Sequence, residues 1–412
     1  MASREASLGA KKIQWVQDRM GILRQATRVL KKKGSLKGRR VGMALHVEAK
    51  TAALVLALEE AGAEVAIASC NPLSTDDDVA TALRDEYGIK TYARRGESQK
   101  EYYHNLEQVA HMAPEIAIDD GADLTTLIHE KPQLLKPLRG ICEETTTGVV
   151  RARAMHKAGL LKAPILDVNG ANMKHLFDNR YGTGQSTIDG LMRATNLSIA
   201  GKNFLVAGYG WCGRGIASRA RGMGAEVVVT EIDPVRAIEA RFEGYRVMPI
   251  KEALPEADFI VTATGNTDVV AAEHVPLLKD GAILANSGHF DVEISKPGLR
   301  RHSTKVNAKR VNLTEYHLKN GKRVLLVAEG RLVNLAAGDG HPVEVMDASF
   351  SVQALCAGYL GEEGFGLGPG VHAVPKEIDD QVASLALKAY GIRIDALTSR
   401  QAKYIHSFEE GT

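Results

Sequence analysis

An α/β fold made of two doubly wound parallel sheets is what this 412-residue sequence predicts. Three observations carry the prediction. Short apolar, β-branched runs alternate with helical stretches from residue 41 to residue 168. A later apolar run ends in the turn Gly208-x-Gly210-x-x-Gly213, with Gly215 behind it, and a helical stretch follows at once. After His341-Pro342 the chain becomes helical and apolar again, without a glycine-rich turn of its own. Alternating strands and helices call for a parallel sheet covered on both faces. The glycine turn opens a second unit of the same kind. The stretch after it is expected to return to the first unit, so the second domain is an insertion.

In order, residues 11–33 read as one amphipathic helix, with Ile13, Val16, Met20 and Leu23 near one face. Strand and helix then pair over 41–47 and 50–61, 64–69 and 76–87, and 115–119 and 124–130. A strand over 139–142 leads into the Thr-rich turn EETTTG and another helix, and 164–168 is a further strand. A helix over 185–195 links to the second domain, whose strands fall at 204–207, 226–231, 259–264, 282–286 and 324–328. A helix and an apolar segment occupy 343–375, and a helix followed by a polar tail runs from Ile378. The expected division is a first domain over 1–181 rejoined by 342–377, an inserted domain over 182–341, and a C-terminal segment, 378–412, serving association between subunits.

The strand, glycine turn, helix and strand around Gly208 come in the order a dinucleotide site requires. Gly208 permits the tight turn, Gly210 lets backbone approach a pyrophosphate, and Gly213 lets helix pack on strand. The helix N-terminus offers unpaired N–H groups and the positive end of its dipole. Glu231 closes the next strand roughly 20 residues on, where an acid binds the adenosine ribose hydroxyls. A carboxylate there disfavours a 2′-phosphate, so the expected cofactor is NAD rather than NADP.

Composition excludes other classes. Hydrophobic residues at 44% and charged residues at 25% are those of a globular protein. A net charge of +2 offers no footprint for nucleic acid, and the basic run KKKGSLKGRR over 31–40 reads as a solvated helix end and linker. No apolar run approaches the ~18 residues of a membrane helix, so no membrane partner is expected. The N-terminal MASREASLGAKKIQWV has no signal-peptide core, and Cys70, Cys142, Cys212 and Cys356 lack CxxC spacing. Both point to a reduced, cytoplasmic protein. No metal is expected.

In open α/β sheets, ligands sit beyond the carboxyl ends of the strands. His46 and Glu48 follow the first strand, and Asp119 and Asp120 end EIAIDD. Glu143, Glu144, Thr145, Thr146 and Thr147 end RGICEETTTG, and Asn169 ends PILDVN. Any one of these could equally be a helix cap or a loop residue. Acids, threonines and a histidine at four strand ends of one sheet point to a site. In KHLFDN, Lys174 and Asp178 are four apart and share a face if helical. They form either a surface ion pair or a cation and carboxylate that polarise a substrate hydroxyl. In the second domain Asn286 and His289 lie in NSGHFD, Asn334 in AEGRLVNL and His341 in GDGHP. Both histidines fall where a cleft between the domains would form.

These segments resemble the S-adenosylhomocysteine hydrolase family. The matching stretches are LHVEAKTA, SCNPLST, DDGADLT, EETTTG, FDNRYG, the IDG-x-x-RAT helix, VAGYG with TEIDP, SGHFDVEI, and AEGRLVNL followed by GHP. They span roughly residues 40–375 in the family's order. The resemblance implies a thioether hydrolase of the methyl cycle with one tightly bound NAD per subunit, a nucleoside thioether substrate and a homotetrameric assembly. The substrate 3′-hydroxyl is oxidised, which acidifies C4′–H; a base removes that proton and homocysteine leaves. Water then adds, and the ketone is reduced again. Carried over by position, Lys174 and Asp178 activate the 3′-hydroxyl with Asn179 in support, and Glu144 holds the ribose. His46 and Asp120 manage the proton on the leaving thiolate and the incoming water. His289 sits beside the ribose and nicotinamide. Thr145, Thr146, Thr147 and Asn334 contact the nicotinamide half. Gly208, Gly210, Gly213, Gly215, Glu231, Arg236, Asn266, Ser287 and Gly288 hold the rest of the cofactor, and His341 lies near the purine.

The chain also departs from the family's pattern. Glu48 and Lys50 stand where the best-known members have Thr and Glu against the purine's Watson–Crick edge. Hypoxanthine offers an N1–H donor and an O6 acceptor, which suit a carboxylate and an ammonium; adenine offers the reverse. S-inosylhomocysteine is therefore an alternative substrate, unless Glu48 and Lys50 pair with each other and adenine binds through other contacts. Arg236 replaces the usual Asn near the NAD ribose, and Thr183 replaces a cysteine. Many members continue past this chain's Thr412 into a Lys- and Tyr-bearing tail that reaches a neighbour's NAD. Here that contact is expected to be absent or made differently, with easier cofactor exchange. Two other readings stay open. A 2-hydroxyacid-type NAD dehydrogenase shares the two-domain layout and would release NADH, and a non-catalytic NAD sensor would turn over nothing.

Overall fold

The computed structural model describes residues 4–408; residues 1–3 and 409–412, the outermost parts of the expected first and last segments, lie outside it. The strands, in chain order, are β1 (Arg40–Ala44), β2 (Glu64–Ala68), β3 (Lys90–Tyr92), β4 (Ile116–Asp119), β5 (Gly140–Glu143) and β6 (Pro164–Asp167). They continue as β7 (Asn203–Ala207), β8 (Glu226–Thr230), β9 (Arg246–Val247), β10 (Phe259–Thr262), β11 (Ile283–Asn286), β12 (Ser303–Arg310), β13 (Leu313–Leu318), β14 (Arg323–Val327) and β15 (Gly370–Ala373). One sheet has the order β15-β6-β5-β4-β1-β2-β3 and is parallel throughout. The other has the order β12-β13-β14-β11-β10-β7-β8-β9, parallel except for the antiparallel edge β12-β13-β14.

Each sheet reverses its winding once, between β1 and β4 in the first and between β7 and β10 in the second. Ligands bind in doubly wound sheets at such reversals, outside the carboxyl ends of the strands. Topology alone therefore places His46 and Asp120, which follow β1 and β4, and Gly208 and Gly265, which follow β7 and β10, at the two crevices. The strands are near-continuous apolar runs because helices bury both of their faces, as with Val41, Met43, Ile116 and Ile118 in the first sheet.

The chain after the second sheet comes back to the first. β15 pairs with β6, Val371 opposite Ile165. The Val343–Glu363 helix leading there is buried on nearly every side, with Met346, Phe350, Leu355 and Leu360 in the first sheet's core. The Lys376–Ala389 helix docks on the same core through Ile378, Val382 and Ala386. Residue 378 thus lies inside a helix of this body, and beyond it the chain is exposed throughout over 388–401.

Several elements differ from the sequence expectation, and the main ones do so for a physical reason. The single helix expected over 11–33 is two, Arg4–Gln17 and Gly21–Lys33. The break is set from far along the chain. Asp347 accepts hydrogen bonds from the backbone N–H groups of Ile22 and Leu23 at 2.9 and 2.7 Å, capping the second helix in place of a local residue. β3 and the Gln99–His111 helix are additional; the strand is too short for its period to register, although the Ser98–Glu101 capping box announces the helix. The β12–β13 hairpin escapes sequence reading because β12 is mostly exposed and carries no apolar alternation.

Glycines set how closely the helices approach. A Cβ at Gly215, in the Trp211–Gly222 helix, would lie 1.7 Å from the Arg180 carbonyl oxygen, and one at Gly184 would lie 2.5 Å from the Gly215 carbonyl oxygen. Gly215→Ala is expected to destabilise the fold by about 1–3 kcal/mol, read as a lower Tm. An unchanged Tm would contradict this backbone contact.

Candidate active site

Both crevices open into one cavity of about 1010 Å³. His46, Glu48, Lys50, Asp120, Glu144, Thr145, Thr146 and Thr147 reach it from the first sheet, and Asn169, Lys174, Asp178 and Asn179 from the segment after β6. Gly208, Gly210, Glu231, Arg236, Asn266, Ser287, Gly288, His289, Asn334 and His341 reach it from the second body. Gly213 and Gly215 do not line it. A Cβ at Gly213 would lie 1.9 Å from the Gly208 carbonyl oxygen, so both glycines serve packing behind the turn.

The glycine turn fits a dinucleotide. Gly208 has φ +98°, and a Cβ there would meet the Ala263 carbonyl oxygen at 2.8 Å. A Cβ at Gly210 would meet nothing nearer than Arg236 Nη1 at 3.7 Å, so this backbone is open to a phosphate at the start of the Trp211–Gly222 helix. Glu231 is fixed at the end of β8 by the backbone N–H groups of Tyr209 and Ile232, both at 2.6 Å, and of Asp233 at 3.0 Å. Across the cavity, Asn334 is locked by Ser186 at 2.7 Å and by Ser287 at 3.1 Å, and Ser287 meets Thr187 at 2.8 Å.

Two polar clusters face this cradle. In the first, Lys174 Nζ donates to Asn179 Oδ1 at 2.8 Å and lies 3.3 Å from both Glu144 Oε1 and Asp178 Oδ2, all four residues buried. In the second, His46 Nε2 lies 3.3 Å from Asp120 Oδ2, and His46 Nδ1 meets Ser74 Oγ at 2.7 Å and Cys70 Sγ at 3.3 Å. His289 Nδ1 approaches Asp120 Oδ1 at 3.6 Å. It does so over Gly121, where a Cβ would lie 2.4 Å from His289 Nε2. The ligand atoms of His46, Asp120 and His289 all lie within 4.8 Å of one another, a spacing that could also hold a metal ion.

A model of the S-adenosyl-L-homocysteine hydrolase NAD-binding domain matches residues 179–340, and a model of S-adenosyl-L-homocysteine hydrolase matches residues 2–134. The chain belongs to the S-adenosyl-L-homocysteine hydrolase family. It is 53% identical to an S-inosyl-L-homocysteine hydrolase of Methanopyrus kandleri, over 100% of this chain and 98% of the relative. It is 53% identical to an adenosylhomocysteinase of Pyrococcus abyssi, over 98% and 96%. It is 55% identical to an adenosylhomocysteinase of Archaeoglobus fulgidus, over 98% and 100%. NAD is the cofactor, and no helix among the described residues is long and apolar enough to cross a membrane.

For a hydrolase of this family the electrostatics are informative. Burial works against the Lys174 charge, but Asp178 and Glu144 outweigh it and hold the ammonium's pKa above its usual value. Burial also works against the Asp178 charge, yet Lys174 and His341 keep that carboxyl below its usual range. Glu144 is pushed up by burial despite Lys174. Ser349 Oγ lies 3.0 Å from both Glu144 Oε1 and Asp178 Oδ2. His46 is lowered by burial to about 4, against the pull of Asp120, and is neutral at pH 7.

Several residues sit differently from their carried-over places. His341 Nδ1 pairs with Asp178 Oδ1 at 2.9 Å, and Thr183 Oγ1 lies 3.3 Å from His341 Nε2. Of the two purine-edge arrangements left open, the structure has Glu48 and Lys50 paired, Lys50 Nζ at 2.8 Å from Glu48 Oε2 and donating to the Asp339 carbonyl at 2.7 Å. Glu48 also caps the Ala49–Glu60 helix through the N–H groups of Lys50 and Thr51. Asp119 and Glu143 are structural: Asp119 accepts from Thr125, and Glu143 from the Gly121 and Thr145 N–H groups. Sequence reasoning missed Ser74 and Cys70 behind His46, and Ser349 and Gln353, which donate to the buried acids. Polar residues four apart within the apolar run SFSVQAL were the available signal.

The His46 shift has a measurable sign. Between pH 4 and 6.5 the unfolded chain binds the proton that folded His46 refuses, so stability rises with pH across that window and is complete above it. The component is up to about 3 kcal/mol. His46→Gln should flatten unfolding free energy against pH there; parallel curves would contradict it.

Proposed function

We propose that this protein reversibly hydrolyses S-adenosyl-L-homocysteine to L-homocysteine and adenosine. The observation that carries the proposal is the buried Lys174–Asp178–Glu144–Asn179 cluster sharing one cavity with the glycine turn and with the His46–Asp120 pair. A simple dehydrogenase needs a hydroxyl-activating cluster and a cofactor cradle. Breaking a thioether needs, in addition, a second proton-transfer pair at the carbon bearing sulfur.

When bound, NAD supplies acceptance and return of a hydride at the substrate's 3′ carbon. Gly208 and Gly210 and the helix behind them hold its phosphates, with Gly213 and Gly215 permitting that packing. Glu231 takes the adenosine ribose. Arg236, Asn266, Ser287, Gly288 and Asn334 with Thr145, Thr146 and Thr147 hold the remainder. Lys174 grips the substrate's 3′ oxygen, and anionic Asp178, steadied by His341, takes the hydroxyl proton. Asn169 and Asn179 fix the ammonium, and Glu144 binds the ribose. The neutral His46–Asp120 pair takes up the C4′ proton and passes it to the departing thiolate; it then takes a proton from the entering water and returns it to C4′ as the hydroxyl adds, while His289 covers the ribose. The same reading divides the chain into a substrate-binding body over 1–181 and from 342 through the Lys376–Ala389 helix, an NAD-binding body over 182–341, and a final segment that contributes to a homotetramer. It places the enzyme in the cytoplasm, within the methyl cycle.

A second reading concerns the purine. Lys50 is a buried, donor-only group, so it can serve the O6 of hypoxanthine but not the amino group of adenine. S-inosyl-L-homocysteine is then the substrate, with Glu48 accepting from N1–H.

Incubation with S-adenosyl-L-homocysteine should release homocysteine thiol with no net NADH, and Lys174→Met should lower kcat by at least about 100-fold. NADH accumulating with substrate consumed would favour a dehydrogenase. Comparing kcat/KM for the adenosyl and inosyl thioethers decides the purine: a strong adenosyl preference sinks the second reading.

A further inference from the structure

We propose that Arg151 anchors the α-carboxylate of the homocysteine half of the substrate, an inference that rests on the hydrolase reading above. Among the described residues, four lysines and arginines face the cavity: Lys50, Arg151, Lys174 and Arg236. Lys50 is engaged by Glu48 and the Asp339 carbonyl, and Lys174 by Glu144 and Asp178. Arg236, in the Pro234–Phe242 helix, stands at the cofactor end of the cavity, beside Gly210 and 3.9 Å from Asp233.

Arg151 stands at the other end. It projects from the Thr146–Lys157 helix, and its Nη1 donates to the Gly121 carbonyl and to Asp123 Oδ1, the latter at 2.7 Å. Its guanidinium carbon lies 5.7 Å from the centre of the Phe290 ring. Gly121 follows Asp120 and Phe290 follows His289, so the guanidinium is one residue removed from both members of the Asp120–His289 contact. That contact adjoins His46, where the thiolate departs. A ribose gripped by Lys174 and a sulfur beside His46 send the amino-acid chain past Asp120, towards Arg151.

The chemistry of that chain demands a cation. Its carboxylate would otherwise pass the buried Asp120 carboxyl unpaired, which is costly. A guanidinium is suited to the task because one edge can hold the backbone while the other receives a carboxylate. Here one edge is spent on Gly121 and Asp123, and among the described residues no acceptor meets Nε or Nη2. The side chain is 35% exposed, so the free edge is reachable. Anchoring on Gly121 also ties carboxylate binding to the placement of Asp120.

The test compares S-adenosyl-L-homocysteine with its decarboxylated analogue, 5′-(3-aminopropylthio)-5′-deoxyadenosine, by titration calorimetry on the NAD-loaded protein, with wild type, Arg151→Gln and Arg151→Lys. Arg151→Gln should raise Kd for the carboxylate-bearing ligand by about 10- to 100-fold, the size of a lost charge-assisted pair. It should change Kd for the analogue less than about twofold, and Arg151→Lys should fall between. Equal losses for both ligands would mean that Arg151 only supports the Asp120 loop, and would overturn the proposal. Homocysteine release by the wild type is scored separately: its absence from both adenosyl and inosyl substrates overturns the hydrolase reading, while the Kd ratio still decides Arg151.

Discussion

Keeping an ammonium charged in the interior is the constraint on which the site depends. Lys174 is buried, and burial alone would favour the neutral amine. Two carboxylates at 3.3 Å reverse that preference, but they must then be held apart and satisfied themselves. The Val343–Glu363 helix does this through Ser349 and Gln353, and His341 does it from just before that helix. The short helix carrying Lys174 is capped by Asp379, which accepts from the Asn172 and Met173 N–H groups at 2.9 and 2.8 Å. The final return of the chain to the first sheet is therefore part of the site's construction: it supplies the polar partners and the cap that keep Lys174 charged.

The second constraint is geometric. Each sheet has one winding reversal, and both reversals face a single cavity. The glycine turn after β7 and the His46 and Asp120 loops after β1 and β4 therefore come together at that cavity. Contact across the cavity is made by small features, His289 over Gly121 and Lys50 on the Asp339 carbonyl. The glycine turn and Lys174 thus face the same cavity.

Much of this was legible in the sequence because it is local. The βα alternation, the Gly208 turn, Glu231 at the end of its strand and the polar strand ends all follow from short-range patterns that burial imposes. What was not legible depends on distant partners. Asp347 splits the first helical stretch from more than three hundred residues away. Ser349 and Gln353 acquire meaning only once Glu144 and Asp178 face them, and Ser74 only once His46 does. Gly213 lets helix pack on strand, as its motif position says, with a Cβ there 1.9 Å from the Gly208 carbonyl oxygen; that Gly215 is also a packing position, against the Arg180 carbonyl oxygen, was not legible. His341 reads as a neighbour of the purine, and only the fold reveals that its imidazole pairs with Asp178. The spacing of a motif reports that backbone must come close, and only the fold reports what it comes close to.

The central claim is that the cofactor's hydride leaves the substrate and returns within one turnover, with a proton exchanged at the adjacent carbon in between. The most direct measurement is turnover of S-adenosyl-L-homocysteine, or its inosyl counterpart, in D2O, with the nucleoside product read by NMR. Deuterium at C4′ with protium retained at C3′ is the expected result. A product with no deuterium at C4′, or with deuterium at C3′, would contradict it.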